Sequence, residues 1–169
     1  MPAQSRARWG TGAATIRACL VAGLAAVLVG VSSTPSPAAG GSVYAGAVLQ
    51  DGPRAYWRLG ESSGTSALSE TGTNAGTYQG GALLGQPGAL LNDPNRAVGF
   101  DGTNDTVQVP HSSNLAPAGA LTLEAWVKPS RLPTGSKVMA VMRKGSQYQL
   151  VLMSSGRVRL SVTTGVEQT

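Results

Sequence analysis

The chain has 169 residues, 41% hydrophobic, 12% charged and 5% aromatic, with 23 glycines, 10 prolines and one cysteine; this excludes a disulfide framework, a collagen-like repeat and disorder driven by charge. Thirteen basic residues against eight acidic give a formal charge of +5. Three of the arginines, Arg6, Arg8 and Arg17, lie in the N-terminal segment, and without them ten basic residues face eight acidic ones, too small a surplus for a polyanion-binding face, so no nucleic acid partner is expected.

Residues 1–38 read as a signal peptide. The early arginines precede an uncharged run of 14 residues, 18–31 (ACLVAGLAAVLVGV), and then a Ser, Thr and Pro region ending in small residues. At about 1.5 Å per residue the run spans roughly 21 Å, short of the roughly 30 Å of a bilayer core, so stable membrane insertion is not expected after cleavage. Ser36 and Ala38 stand at the −3 and −1 positions of a cut after Ala38, with a cut after Gly40 as second choice. No Arg-Arg pair is present, which favours the general secretion route over the twin-arginine route. Cys19 opens the apolar run instead of following it, the wrong place for lipidation. The expected localisation is therefore secreted or extracellular, with a cysteine-free mature chain that excludes thiol catalysis and Cys-ligated zinc. Arginine outnumbering lysine ten to three, with abundant Ala and Gly, suggests a GC-rich bacterial genome.

After a short lead over residues 39–43, residues 44–169 read as one β domain. Apolar-alternating runs at 55–59, 97–100, 106–109, 121–127, 137–142, 148–153 and 157–162 predict seven strands. Turn clusters separate them, such as Asp51-Gly52-Pro53, Asp101-Gly102-Thr103-Asn104 and Ser154-Ser155-Gly156. No 11-residue window beyond the signal sustains a helical period, so no helix is predicted. Leu121, Leu123, Ala125 and Val127 share one strand face and Thr122, Glu124 and Trp126 the other; Val158, Leu160 and Val162 are expected inward, opposite Arg157 and Arg159. One apolar and one mixed face per strand predicts a two-sheet antiparallel sandwich or jelly roll, its last two strands a hairpin.

Three stretches carry a resemblance: 48–61, with Ala55-Tyr56-Trp57-Arg58-Leu59-Gly60-Glu61; 97–105, with Phe100-Asp101-Gly102-Thr103-Asn104-Asp105; and 121–129, with Leu123-Glu124-Ala125-Trp126-Val127. In this order they resemble the laminin G-like (LamG) domain of the concanavalin A-like lectin/glucanase jelly rolls of bacterial secreted proteins. The resemblance runs from Tyr44 to Thr169. It implies an all-β jelly roll that binds glycans or other extracellular ligands, often with calcium at a loop rim, usually as one module of a larger protein. It also implies further strands after 157–162, a tryptophan-containing one among them, and on that reading the chain is a fragment truncated at its C-terminus.

Asp101, Asn104 and Asp105 are the candidate metal ligands: calcium wants six to eight oxygens, and a glycine-containing turn lets carboxylates and carbonyls converge. The plainer alternative is an ordinary hairpin turn. Tyr78, in the Gly-rich stretch 77–81, is the candidate exposed aromatic for stacking on a sugar, whereas Trp57 and Trp126 are read as core. Arg157 and Arg159 are candidate ligand-binding residues whose planar forks suit sulfated or carboxylated glycans, against the alternative of a solvated strand face.

No catalytic constellation is found. Glycoside hydrolysis needs two carboxylates, about 5 Å apart in retaining enzymes, and Glu124 has no such partner in the sequence. His111, the single histidine, lacks a Gly-x-Ser-x-Gly elbow. The sequence thus predicts a secreted, non-catalytic module that binds carbohydrate or an extracellular protein, with Ca2+ as its one candidate cofactor. The alternatives are an accessory part of a secreted glycoside hydrolase whose catalytic residues lie further along, and a purely structural adhesion domain.

Overall fold

The computed structural model describes residues 16–21, 42–117 and 119–163. In chain order these form β1 (Ile16–Val21), α1 (Val43–Gln50), β2 (Ala55–Trp57), β3 (Ser66–Ala67), β4 (Gly76–Gln79), β5 (Leu83–Gln86), β6 (Ala97–Gly99), β7 (Thr106–Gln108), β8 (Thr122–Val127), β9 (Val138–Lys144), β10 (Tyr148–Met153) and β11 (Val158–Val162), with a 3-10 turn at Ser113–Leu115. Every strand pairing is antiparallel, in sheets ordered β2-β1-β8, β3-β4-β7, β5-β6 and β11-β10-β9. The protein is an antiparallel β sandwich of the jelly-roll kind, as its alternating strands predicted. Of the residues assigned to the signal peptide, only 16–21 lie among those described.

All seven predicted strands form, with ends shifted by one or two residues. The helix was not predicted. It is eight residues long, below the length of the window that would show a period, and two local devices hold it. Ser42 caps its N-terminus, the hydroxyl accepting from the Ala45 N–H at 3.1 Å. Ala45 and Val48, three apart and so on one face, bury against Tyr56. Strand β2 is therefore covered on both sides: Ala55 and Trp57 enter the main core, while Tyr56 packs under the helix. That is why three consecutive residues are buried where a half-exposed strand would alternate.

The main core joins Ala55, Trp57, Leu59, Ala67, Tyr78, Val98 and Leu115, with Leu121 and Leu123 packed against it. The inward face read for 121–127 is thus confirmed at Leu121 and Leu123. At the far end the expectation fails: Val158, Leu160 and Val162 are 63%, 46% and 50% exposed. β11 is the edge of its sheet: the three stand opposite Leu152, Leu150 and Tyr148, on a face that is buried at Leu152 and Tyr148 but open along the edge strand. A bulge in β9 leaves Val141 unpaired, with Leu150 opposite Met142 and Val151 opposite Ala140; β10 itself alternates without a break, and its neighbours Val151 and Leu152, on opposite faces, are both buried.

A polar cluster ties the helix start to β2. The Arg58 Nη2 donates to Asp93 Oδ1 at 2.9 Å, the Asn95 backbone N–H donates to the same oxygen at 2.8 Å, and the Ser42 hydroxyl donates to Oδ2. The two charged side chains are only 16% and 8% exposed, so water screens the pair little. Among the described residues no helix is long and apolar enough to cross a membrane.

Candidate functional site

Strand period two puts Glu124 and Trp126 on the outer face of β8, opposite the core-facing Leu123. Trp126 is 45% exposed, which corrects its reading as core; Trp57 is core, with its Nε1 donating to the Asn74 carbonyl at 2.7 Å. The Trp126 ring meets Tyr44 edge to face, centroids 6.3 Å apart at 69°, and its Nε1 donates to the Tyr44 hydroxyl at 2.9 Å. Ring contact and hydrogen bond together fix the indole's orientation while nearly half of its surface stays open. The capped helix supplies Tyr44, which is why the sequence did not show this pair. The Glu124-x-Trp126 spacing was legible as a shared outer face.

A groove of about 530 Å³ runs along β8, its lining including Glu124 and Trp126 of the outer face, Leu123 of the inner face, Tyr44, Leu152 and Val158. The lining is mainly apolar, with Glu124 its one carboxylate. Arg157 sits between two of the lining residues. β11 begins only at Val158, so Arg157 belongs to the preceding turn, where its carbonyl accepts from the Met153 N–H at 2.9 Å. Arg159 lies on the strand opposite Val151. Both arginines are exposed, as expected.

Tyr78, expected to be exposed, is 8% exposed and belongs to the main core. Alternation along β4 turns Gly76 and Tyr78 inward and Thr77 and Gln79 outward. The phenol donates to Glu61 Oε2 at 2.6 Å, and burial first, then that carboxylate, push its pKa far above the ordinary tyrosine value. Its ring therefore has no open face for a sugar.

The structure does bring Asp101, Asn104 and Asp105 into one turn. Asp101 Oδ1 accepts from the backbone N–H groups of Thr103 at 2.7 Å and Asn104 at 3.4 Å, and Asp105 Oδ2 accepts from the Asp101 N–H at 2.9 Å. The N–H groups that donate to the Asp101 carboxyl, above all that of Thr103, hold it below the usual carboxylate range. Gly80, at φ +84°, lies against this turn; a Cβ there would run into the Asn104 carbonyl. Among the described residues no group of three His, Cys, Asp or Glu side chains is placed to hold a metal ion. Three oxygen-bearing side chains, two of them already accepting backbone bonds, fall short of a full calcium shell. His111 Nδ1 lies 3.3 Å from the Lys144 ammonium on the surface, with no nucleophile in that pair.

The fold defines the class, an antiparallel β sandwich carrying its open aromatic site on one sheet. By comparison, residues 101–169 match the family model Laminin_G_3, of the concanavalin A-like lectin/glucanases superfamily. The matched segment holds β7 to β11, including Glu124 and Trp126, so the resemblance read from the residues is confirmed there as a concanavalin A-like, LamG domain. No curated protein and no solved structure matches the chain.

Proposed function

We propose that the protein is a secreted, non-catalytic module that binds carbohydrate at the groove beside Trp126. The exposed indole, held in place by Tyr44, carries this reading: a fixed aromatic face suits the C–H face of a pyranose and loses little entropy on binding. Glu124, in the groove lining, offers an acceptor for sugar hydroxyls, and Arg157, next in sequence to the lining residues Gly156 and Val158, is the cation that would draw acidic glycans. Secretion rests on the order of charge, apolar run and small residues over 1–38.

The test is a panel of neutral and acidic oligosaccharides titrated against the protein, following tryptophan fluorescence. Trp126→Ala should cost about 2 kcal/mol, roughly thirty-fold in affinity, with the melting temperature nearly unchanged. Binding unaffected by Trp126→Ala would refute the site. Calcium at Asp101, Asn104 and Asp105 is a separate proposal. If it binds there, millimolar calcium raises the melting temperature and Asp105→Ala removes most of the gain; an equal gain in that variant refutes it.

A further inference from the structure

The overall charge balance hides a segregation along the chain. Residues 42–124 carry seven acidic and three basic residues, whereas 125–166 carry seven basic residues and no Asp or Glu. That second stretch contains the sheet β11-β10-β9, whose two faces differ. Met142 stands opposite Leu150 and packs on the main core, so Tyr148, Leu150 and Leu152 belong to the inner face. On the outer face Arg143, Gln149 and Ser161 stand in one row across β9, β10 and β11, and Arg159 stands one pleat along, opposite Val151. Both arginines are exposed, and Gln149 and Ser161 between them are half-buried. Arg143 Nε donates to the Gly145 carbonyl at 3.3 Å, which uses one N–H of that guanidinium. Among the described residues the one ion pair is Arg58–Asp93, so no carboxylate neutralises this face.

We propose that this outer face is a binding surface for an acidic polysaccharide, separate from the groove at Trp126 and not dependent on it. Seven cations with no acidic residue among them raise a positive potential over one sheet, while the rest of the domain is acidic, so a polyanion is drawn to this side. The register sets the spacing of the two forks. Two strand separations of about 4.8 Å and one pleat of about 7 Å put the Arg143 and Arg159 backbones about 12 Å apart on a diagonal. At that separation the guanidiniums grip two sulfate or carboxylate groups of one polymer through paired N–H donors, and the Gln149 amide and Ser161 hydroxyl between them suit sugar hydroxyls. No residue of this face among those described is aromatic, so a nucleic acid finds no ring on which to stack a base. Further strands paired to β11 widen the sheet in its own plane and leave this face open.

The experiment titrates dextran sulfate into the full chain by calorimetry at a series of salt concentrations. Binding should occur and weaken as salt rises. Arg143→Gln combined with Arg159→Gln should lower the affinity roughly tenfold or more and reduce the salt dependence by about two ion contacts, with the melting temperature within about 2 °C of the parent. Arg54→Gln combined with Arg96→Gln removes the same charge from exposed positions in the acidic half, and should change the affinity by less than about twofold. An equal loss in the two pairs means that net charge alone draws the polymer, and overturns the proposal. Failure of dextran sulfate to bind overturns it too, as does tighter binding of single-stranded DNA or of anionic phospholipid vesicles through the same two arginines. Trp126→Ala separates this face from the groove: dextran sulfate binding that survives the substitution supports the face, and binding lost with it overturns the face in favour of the groove.

Discussion

Tyr78 sits in a glycine-rich stretch that reads as a loop, and its burial follows from two things the composition of that stretch hides. Gly76, one pleat earlier, has no side chain, so β4 lies close to β7 near Val107, and Glu61 waits 17 residues back with an oxygen free to accept. A tyrosine whose folded pKa is raised stabilises the fold fully below its unfolded value of about 10, and that contribution is lost as pH rises through the folded value. As pH rises above about 10 the melting temperature should therefore fall. Tyr78→Phe should flatten that fall while costing about 1–2 kcal/mol at neutral pH, because Glu61 loses its donor. An alkaline slope identical in Tyr78→Phe would show that Tyr78 does not carry the effect; Tyr148, also raised by burial and bonded to the Leu115 carbonyl at 2.9 Å, is the next group to examine. At this scale the sequence showed which residue types were present but not their exposure: it placed Trp57 correctly and misplaced Trp126 and Tyr78, since a strand's alternation says which residues share a face and not whether that face is covered.

Among the elements, β8 was the most legible. Its six residues alternate without a break, and the structure packs Leu123 on the core while Thr122 is exposed. Leu123→Asp puts a carboxylate without a partner against Leu121 and the main core, and should destabilise by about 3 kcal/mol or more; Thr122→Asp should stay within about 1 kcal/mol. Urea titration of both variants checks this, and equal midpoints would refute the face assignment. The helix and β3 to β5 were not legible, for different reasons. Helix α1 depends on the Ser42 cap and on burial against Tyr56, of which the cap has a sequence signal and the burial has none. β3 has two residues and β5 pairs irregularly with β6, so neither is long enough to show a period. The turn at 101–105 was legible as a turn because Asp, Gly and Asn name it directly; its use as a metal site depends on groups that converge from elsewhere in space.

For the molecule as a whole, an alternating strand pattern specifies a sandwich only where each apolar face finds another to cover it. On the β2, β8 side that condition is met by the shared core, but Val158, Leu160 and Val162 of β11 form a stripe at 46% to 63% exposure, with Val138 at 43% on the same sheet. The inward expectation for these residues came from a correct period and assumed a covering layer. A stripe of this kind on an edge strand is an association liability. Replacing Leu160 by Lys should leave the melting temperature within about 2 °C, because an exposed surface change costs roughly 0.5 kcal/mol or less, while lowering both binding of a hydrophobic dye and concentration-dependent light scattering. The contrasting control is Val151→Lys, which buries a cation in β10 at 1% exposure and should unfold the domain. If Leu160→Lys instead destabilises the protein nearly as much as Val151→Lys, then the β11 face is covered in solution and the sandwich is closed there by a layer outside the described residues.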